Sequence, residues 1–243
     1  MEFQADSIQG VLFFVPGQPQ GDALKLWGEL FPGDSPDGFQ RVTTSPALNS
    51  SAHGDRQGFQ TTVNSQVGRV DIVIAHSPQP LPAEAGPPRI ADVPAGVAKV
   101  VDLLKKLSAT TKVFRAAIVL DLAKTVMAGD ESSEILKNLP NYPFPANVSD
   151  VSLQFNSRIT FNFAPDFQMN RLCAWTSGQV GFVMNPQMQG PNFMVMTPYV
   201  GLKIDVNSAP QMPLPSDSIN HVIDELSSEV LAIAAEGVGR LQA

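Results

Sequence analysis

The sequence predicts an α+β fold, a mainly antiparallel sheet with helices packed on one face. Short apolar or alternating runs bounded by turn residues recur along the chain, as strands do. Helical stripes are few and widely separated. The order strand, helix, two or three strands, helix then occurs twice. The chain therefore reads as two β-α-β-β-(β)-α halves, 1–110 and 111–243, or as one continuous domain of the same content.

Ile8 to Val15 is short, apolar and rich in β formers, and Pro16-Gly17 ends it. Asp22 is placed to cap a helix from Ala23 to Phe31, which puts Ala23, Leu24, Trp27, Leu30 and Phe31 on one face. Gly33 to Gly38 reads as turns, and Thr43 to Asp55 as a Ser/Thr-rich loop. Phe59–Asn64 and Arg69–Ala75 read as a hairpin around Gln66-Val-Gly68. Ser77 to Pro94 is proline-rich and reads as an irregular, extended connection. Asp92 and Pro94 then open a helix to about Leu107, with Val97, Val100, Val101, Leu104 and Leu107 as its apolar stripe.

The second half begins with a buried strand, Val113 to Leu120, then a helical region, Leu122 to Leu139, broken near Gly129-Asp130. Val151 to Phe163 alternates with its apolar residues at odd positions, as a strand with one buried face does. Leu172–Met184 and Phe193–Val206 supply further strands. The last helix runs from about Asp217 to Glu236, with Ser216 as its cap and Gly237 as its stop. Its stripe is Ile219, Val222, Ile223, Leu226, Val230 and Ile233. One residue-level match supports duplication: Pro78-Gln-Pro-Leu-Pro82 and Pro210-Gln-Met-Pro-Leu-Pro215 each join a strand to a helix. The second copy carries one extra residue, and Pro and Gln are common enough in this chain for coincidence.

Composition narrows the function classes. The 243 residues have a net charge of −7, and only 16% of them are charged. The surface must lean on amides and hydroxyls, and the chain carries 16 Gln and 12 Asn. An acidic chain with no basic run longer than Lys105-Lys106 is a poor nucleic-acid ligand, because phosphate neutralisation supplies most of that affinity. The longest aliphatic or aromatic runs are about five residues, as at Val11–Val15, so no apolar segment spans a bilayer. The N-terminal residues lack the basic-then-apolar pattern of a secretory signal. A single cysteine, Cys173, allows no intrachain disulfide, and the expected location is the cytoplasm.

The familiar catalytic and phosphate-binding motifs are missing, and no cofactor or metal is expected. Gly237-Val-Gly239 follows a helix, so it reads as a helix end rather than a dinucleotide turn. His53, His76 and His221 are far apart, with His53 in the expected loop, and metal binding would need them to converge with carboxylates. Cys173 lies in an apolar strand, with Arg171 two residues away as the one nearby cation. Asp205 and Asn207 share a strand-end face that could ligate a hard cation or fix a turn. Asp121 and Lys124 could form a strand-end site or a local ion pair at a helix start.

One segment stands apart. Leu172 to Leu202 is 31 residues without Asp, Glu, Lys, Arg or His, and six of the eight methionines fall between Met169 and Met212. Such a segment is either buried or an adaptable apolar surface, since methionine is flexible and polarizable. The surface reading makes the protein a non-catalytic interaction or assembly module, through self-association or a protein partner. Its contact residues would be Trp175, Met184, Met188, Met194, Met196 and Tyr199. An alternative is a small-molecule binder or enzyme with an apolar pocket near the same segment. A further alternative docks a basic partner on the last helix through Asp217, Asp224, Glu225, Glu229 and Glu236.

Overall fold

The computed structural model describes residues 3–15, 21–44, 47–77, 88–109, 112–126, 152–183, 194–209 and 218–242. Within them the fold is α+β, as the sequence predicts. Nine strands form one antiparallel sheet: β1 (Gln4–Phe14), β2 (Gly38–Thr44), β3 (Ala47–Arg56), β4 (Phe59–Gln66), β5 (Arg69–His76), β6 (Val113–Thr125), β7 (Ser152–Thr160), β8 (Gln168–Val183) and β9 (Met194–Ser208). Their order in space is β2-β3-β4-β5-β1-β6-β9-β8-β7. The central β1–β6 pair joins the first and second halves of the chain into a continuous sheet. Outward from that pair, β5-β4-β3-β2 lie on one side and β9-β8-β7 on the other. This likeness of topology does not establish duplication, and both copies of the Pro/Gln stretch lie outside the described residues.

Helices α1 (Ala23–Leu30), α2 (Val93–Ser108) and α3 (Ile219–Glu236), followed by the short α4 (Val238–Gln242), complete the fold. α1, α2 and α3 cover the face built from Ile8, Leu12, Ile72, Ile74, Ile118, Leu120, Ile204 and their neighbours, all buried in a shared core. Asp22 caps α1 by accepting from Lys25 N at 3.0 Å, and Asp92 caps α2 by accepting from Ala95 N at 2.9 Å. The expected stripe of α2 is buried, and each such aliphatic side chain contributes roughly 1.5–3 kcal/mol. α2 crosses β1 at Gly10, where a side chain would not fit: a Cβ there would stand 2.6 Å from Val100 Cγ1. The stripe of α3 is buried as expected, and Gly237 ends that helix at φ 63°. The helix starts at Ile219, and Ser216 and Asp217 lie outside the described residues.

Three expectations change. The loop read at 43–55 is largely strand, the end of β2 and most of β3, so His53 sits in a ladder opposite Gly38. Its sequence signal is faint because most of its side chains are polar, yet Ala52 is fully buried. Leu122–Thr125, read as a helix start, continues β6 and pairs with Tyr199–Leu202 of β9. An apolar run containing alanine fits either period, and pairing on both sides decides for strand. β7 stops at Thr160, short of Phe163, and as an edge strand it buries its odd face only in part. The 139 end of the helix read from Leu122, and most of the proline-rich connection, lie outside the described residues.

Candidate functional site

The uncharged segment is mostly a β-ribbon. β8 and β9 pair from Met169↔Ser208 to Val183↔Met194. Among the described residues the sheet neighbours reach only Ser152↔Thr176 on β7 and Thr125↔Tyr199 on β6. On that side Val126 N donates to Pro198 O at 3.0 Å. Proline has no N–H to give a ladder, so it suits the position where β9 loses its neighbour. Beyond it, Gln179↔Pro198, Val180↔Thr197, Gly181↔Met196, Phe182↔Val195 and Val183↔Met194 pair only with each other among the described residues. Five pairs span roughly 17 Å beyond the last described sheet neighbours.

The expected contact residues divide. Trp175 is on the helix-bearing face, 4% exposed, with its ring edge-on to Phe155 at 5.8 Å. Strand alternation puts it in the core, so it offers no surface. Tyr199 is half-buried on the opposite face, where its ring fills the space beside Gly178 and Gly201. Met194 and Met196 lie on the projecting part of β9, while Met184 and Met188 lie outside the described residues.

The sheet face away from the helices is the second notable surface. It carries a polar network that isolated motifs did not reveal. Asp71 accepts from Gln9 Nε2 at 2.7 Å and from Arg69 Nη2 at 2.7 Å. The Arg69 and Arg115 guanidiniums lie 5.3 and 5.1 Å from the centre of the Phe13 ring. Arg115 donates to Asn207 Oδ1 at 2.6 Å, Asn170 donates to the same atom at 3.0 Å, and Asn207 Nδ2 donates to Asp205 at 2.8 Å. Burial lowers the Arg115 pKa, the Asp205 charge raises it, and the Arg69 charge adds to the lowering. Asp205 and Asn207 thus belong to a cross-strand network within this face. Asp121 pairs with Lys203 at 3.3 Å and accepts from Ser7 at 3.3 Å, in mid-strand rather than at a helix start.

At the β2 end, the same face holds a trough of about 390 Å³. Its walls carry the carboxamides of Gln9, Gln40, Asn49, Asn64 and Gln66. Only the periodicity of a strand at 43–55 could have brought Gln40, Asn49 and Asn64 together in a sequence reading.

The remaining candidates have local roles. Burial pushes the Cys173 thiol up to about 12, although Arg171 opposes this. His76 Nδ1 lies 2.6 Å from Ser77 O, and His221 lies 5.8 Å from the Phe163 ring. No group of three or more His, Cys, Asp or Glu able to hold a metal occurs among the described residues. Three carboxylates of α3 have partners within the chain. Asp224 pairs with Lys105 at 2.6 Å, and Glu225 accepts from the Asn162 and Phe163 amides at 2.8 and 3.2 Å. Glu229 is buried between Arg171 and Arg240. Among the described residues no helix is long and apolar enough to cross a membrane, which says nothing of strands.

No family model, curated protein or solved structure matches the chain.

Proposed function

We propose that the protein is a non-catalytic assembly module that self-associates through the β8–β9 ribbon. The observation that carries this reading is the run of five charge-free strand pairs beyond the last sheet neighbours among the described residues. A two-stranded ribbon is marginally stable on its own in water. Among the described residues its outer edges are without a further strand, and such edges present main-chain N–H and C=O groups that another strand can pair. A chain of charge −7 repels its own copies, and a segment of 31 residues without a charged side chain is where that repulsion is weakest. The occupant that fits is a second copy of this chain, pairing ribbon against ribbon. On α3 the buried Glu229 is held by Arg171 and Arg240, whereas Asp224 pairs with Lys105 at an exposed position, so a basic partner on that helix would compete with contacts inside the chain.

Native mass spectrometry of the full chain tests this. The expected spectrum is an integer multiple of 26.0 kDa that collapses to the monomer in Met194→Asp and Met196→Asp variants with unchanged thermal midpoints. A monomer at every concentration, or an oligomer that survives both substitutions, overturns it. A stoichiometric second protein in place of a second copy would also overturn self-association.

A further inference from the structure

We propose that the trough on the open face between β2 and β1 binds a neutral oligosaccharide. The inference is independent of the ribbon, which lies at the other end of the sheet order.

The chemistry of the walls selects the ligand. Gln40, Ser51, Asn64 and Asp71 stand opposite one another in a single row across β2, β3, β4 and β5. At the strand spacing of a sheet that row is roughly 14 Å long. Asn49 and Gln66 lie to one side of it and Gln9 at its inner end. A carboxamide offers two donors and an acceptor in one plane, and a hydroxyl is at once donor and acceptor. A row of carboxamides and a serine therefore matches a chain of vicinal hydroxyls at several points.

Charge excludes ionic ligands as the better fit. Arg69 and Asp71 are the charged side chains on the wall, and they neutralise each other at 2.7 Å. Asp71 is almost wholly buried and accepts from Gln9 as well. Among the described residues an anion or cation finds no unmatched counter-charge on the wall. Apolar ligands fit no better, because Val42 is the single aliphatic side chain on it among the described residues. A peptide would need side-chain pockets and would pair on the β2 edge rather than lie across the face. The volume is in the lower part of the range of small-molecule sites, which suits a few sugar rings.

The test is a titration of the isotope-labelled full chain with maltotriose, cellotriose, mannotriose and N,N′,N″-triacetylchitotriose, watching the side-chain NH₂ signals of Gln40, Asn49, Asn64 and Gln66. The expected result is saturable movement of these signals by at least one probe, with a Kd in the millimolar range or tighter. The double variant Gln40→Ala/Asn64→Ala should weaken that probe by about tenfold or more at an unchanged thermal midpoint. Both residues are on the solvent side of the sheet, so the fold should tolerate the change. As a second variant, Ser51→Asp adds a charge to the row and should weaken the probe without unfolding the chain. Absence of movement with all four sugars overturns the proposal, as does binding that survives both variants. Tighter binding of a sulfated sugar than of its neutral parent would overturn the assignment to neutral ligands.

Discussion

Arg171 Nη1 donates to Glu229 Oε1 at 3.1 Å, joining β8 to α3 through two side chains that are almost wholly buried. Arg240 completes the cluster at 2.7 Å from the other carboxylate oxygen. Arg171 also donates to the Arg240 and Leu241 carbonyls, so the C-terminal turn is fastened to the sheet. Removing one member of a buried pair leaves an uncompensated charge, which costs roughly 3–5 kcal/mol. Glu229→Gln should therefore lower the thermal midpoint sharply, and α4 should lose amide-exchange protection before the rest of the sheet. An unchanged midpoint would show that the pair contributes little.

The same carboxylate gives stability a pH dependence. Burial pushes the Glu229 pKa up, but the hydrogen bonds and charges of Arg240 and Arg171 outweigh it and hold the pKa below the usual range. The folded state then binds fewer protons at this site than the unfolded chain. The stabilisation is complete above the ordinary glutamate pKa of about 4.3 and disappears as pH falls through the folded value. The gap in midpoint between the wild-type chain and Glu229→Gln should close on acidification and stay constant from about pH 6 upward. A gap that widens in acid would reverse the sign assigned here.

Gly10 sets the approach of α2 to the sheet. A Cβ at this position meets Val100 Cγ1 at 2.6 Å and both Leu104 methyls at 2.8 Å. Gly10→Ala should destabilise the fold by about 1–3 kcal/mol through overpacking. Gly10→Ala combined with Leu104→Ala should recover part of the packing strain, which chemical denaturation of the four forms of the cycle can measure.

The Arg69 and Arg115 guanidiniums both lie over the Phe13 ring, and Phe13→Leu keeps an apolar side chain while removing that ring. Each cation–π contact at such a half-exposed site contributes about 0.5–1 kcal/mol. The expected loss is therefore about 1–2 kcal/mol by urea denaturation. A loss equal to that of Phe13→Leu in an Arg69→Gln/Arg115→Gln background would show that the guanidiniums contribute nothing through the ring.

Cys173 should be inert in the folded chain. Its thiol is fully buried and its pKa is pushed up to about 12, so thiolate is scarce at neutral pH. A thiol reagent at pH 8 should modify it only as fast as the chain opens, and promptly in denaturant. Rapid modification of the native chain would mean that β8 opens locally.

Much of this fold is written locally. Asp22 and Asp92 cap the helices that follow them, and the stripes of α2 and α3 are buried as their period requires. Gln66-Val-Gly68 marks a hairpin whose turn needs Gly68 at φ 76°. The strands at 38–44 and 47–56 were not legible, because a polar edge is strand only by virtue of its neighbours. The same holds for the polar face: Gln40, Asn64 and Asp71 meet through register, which no single segment encodes. The uncharged segment was legible as unusual. Its form as a long two-stranded pairing depends on the register of β8 against β9, which no single segment encodes.

The placing of β6 beside β1 also has a consequence in time. Ser7 meets Asp121 across 114 positions of chain, whereas Gln9 meets Asp71 across 62. During synthesis the first five strands and α2 can emerge and pair while β1 still has one bare edge. That edge, with Ile8 and Leu12 beside it, stays open until residues 113–125 leave the ribosome. Long-range pairing of this kind slows folding, and an unpaired apolar edge invites other nascent chains. The nascent chain is therefore most exposed to misassembly after β5 has formed and before residues 113–125 emerge, and a chaperone that holds residues 4–76 would act in that interval.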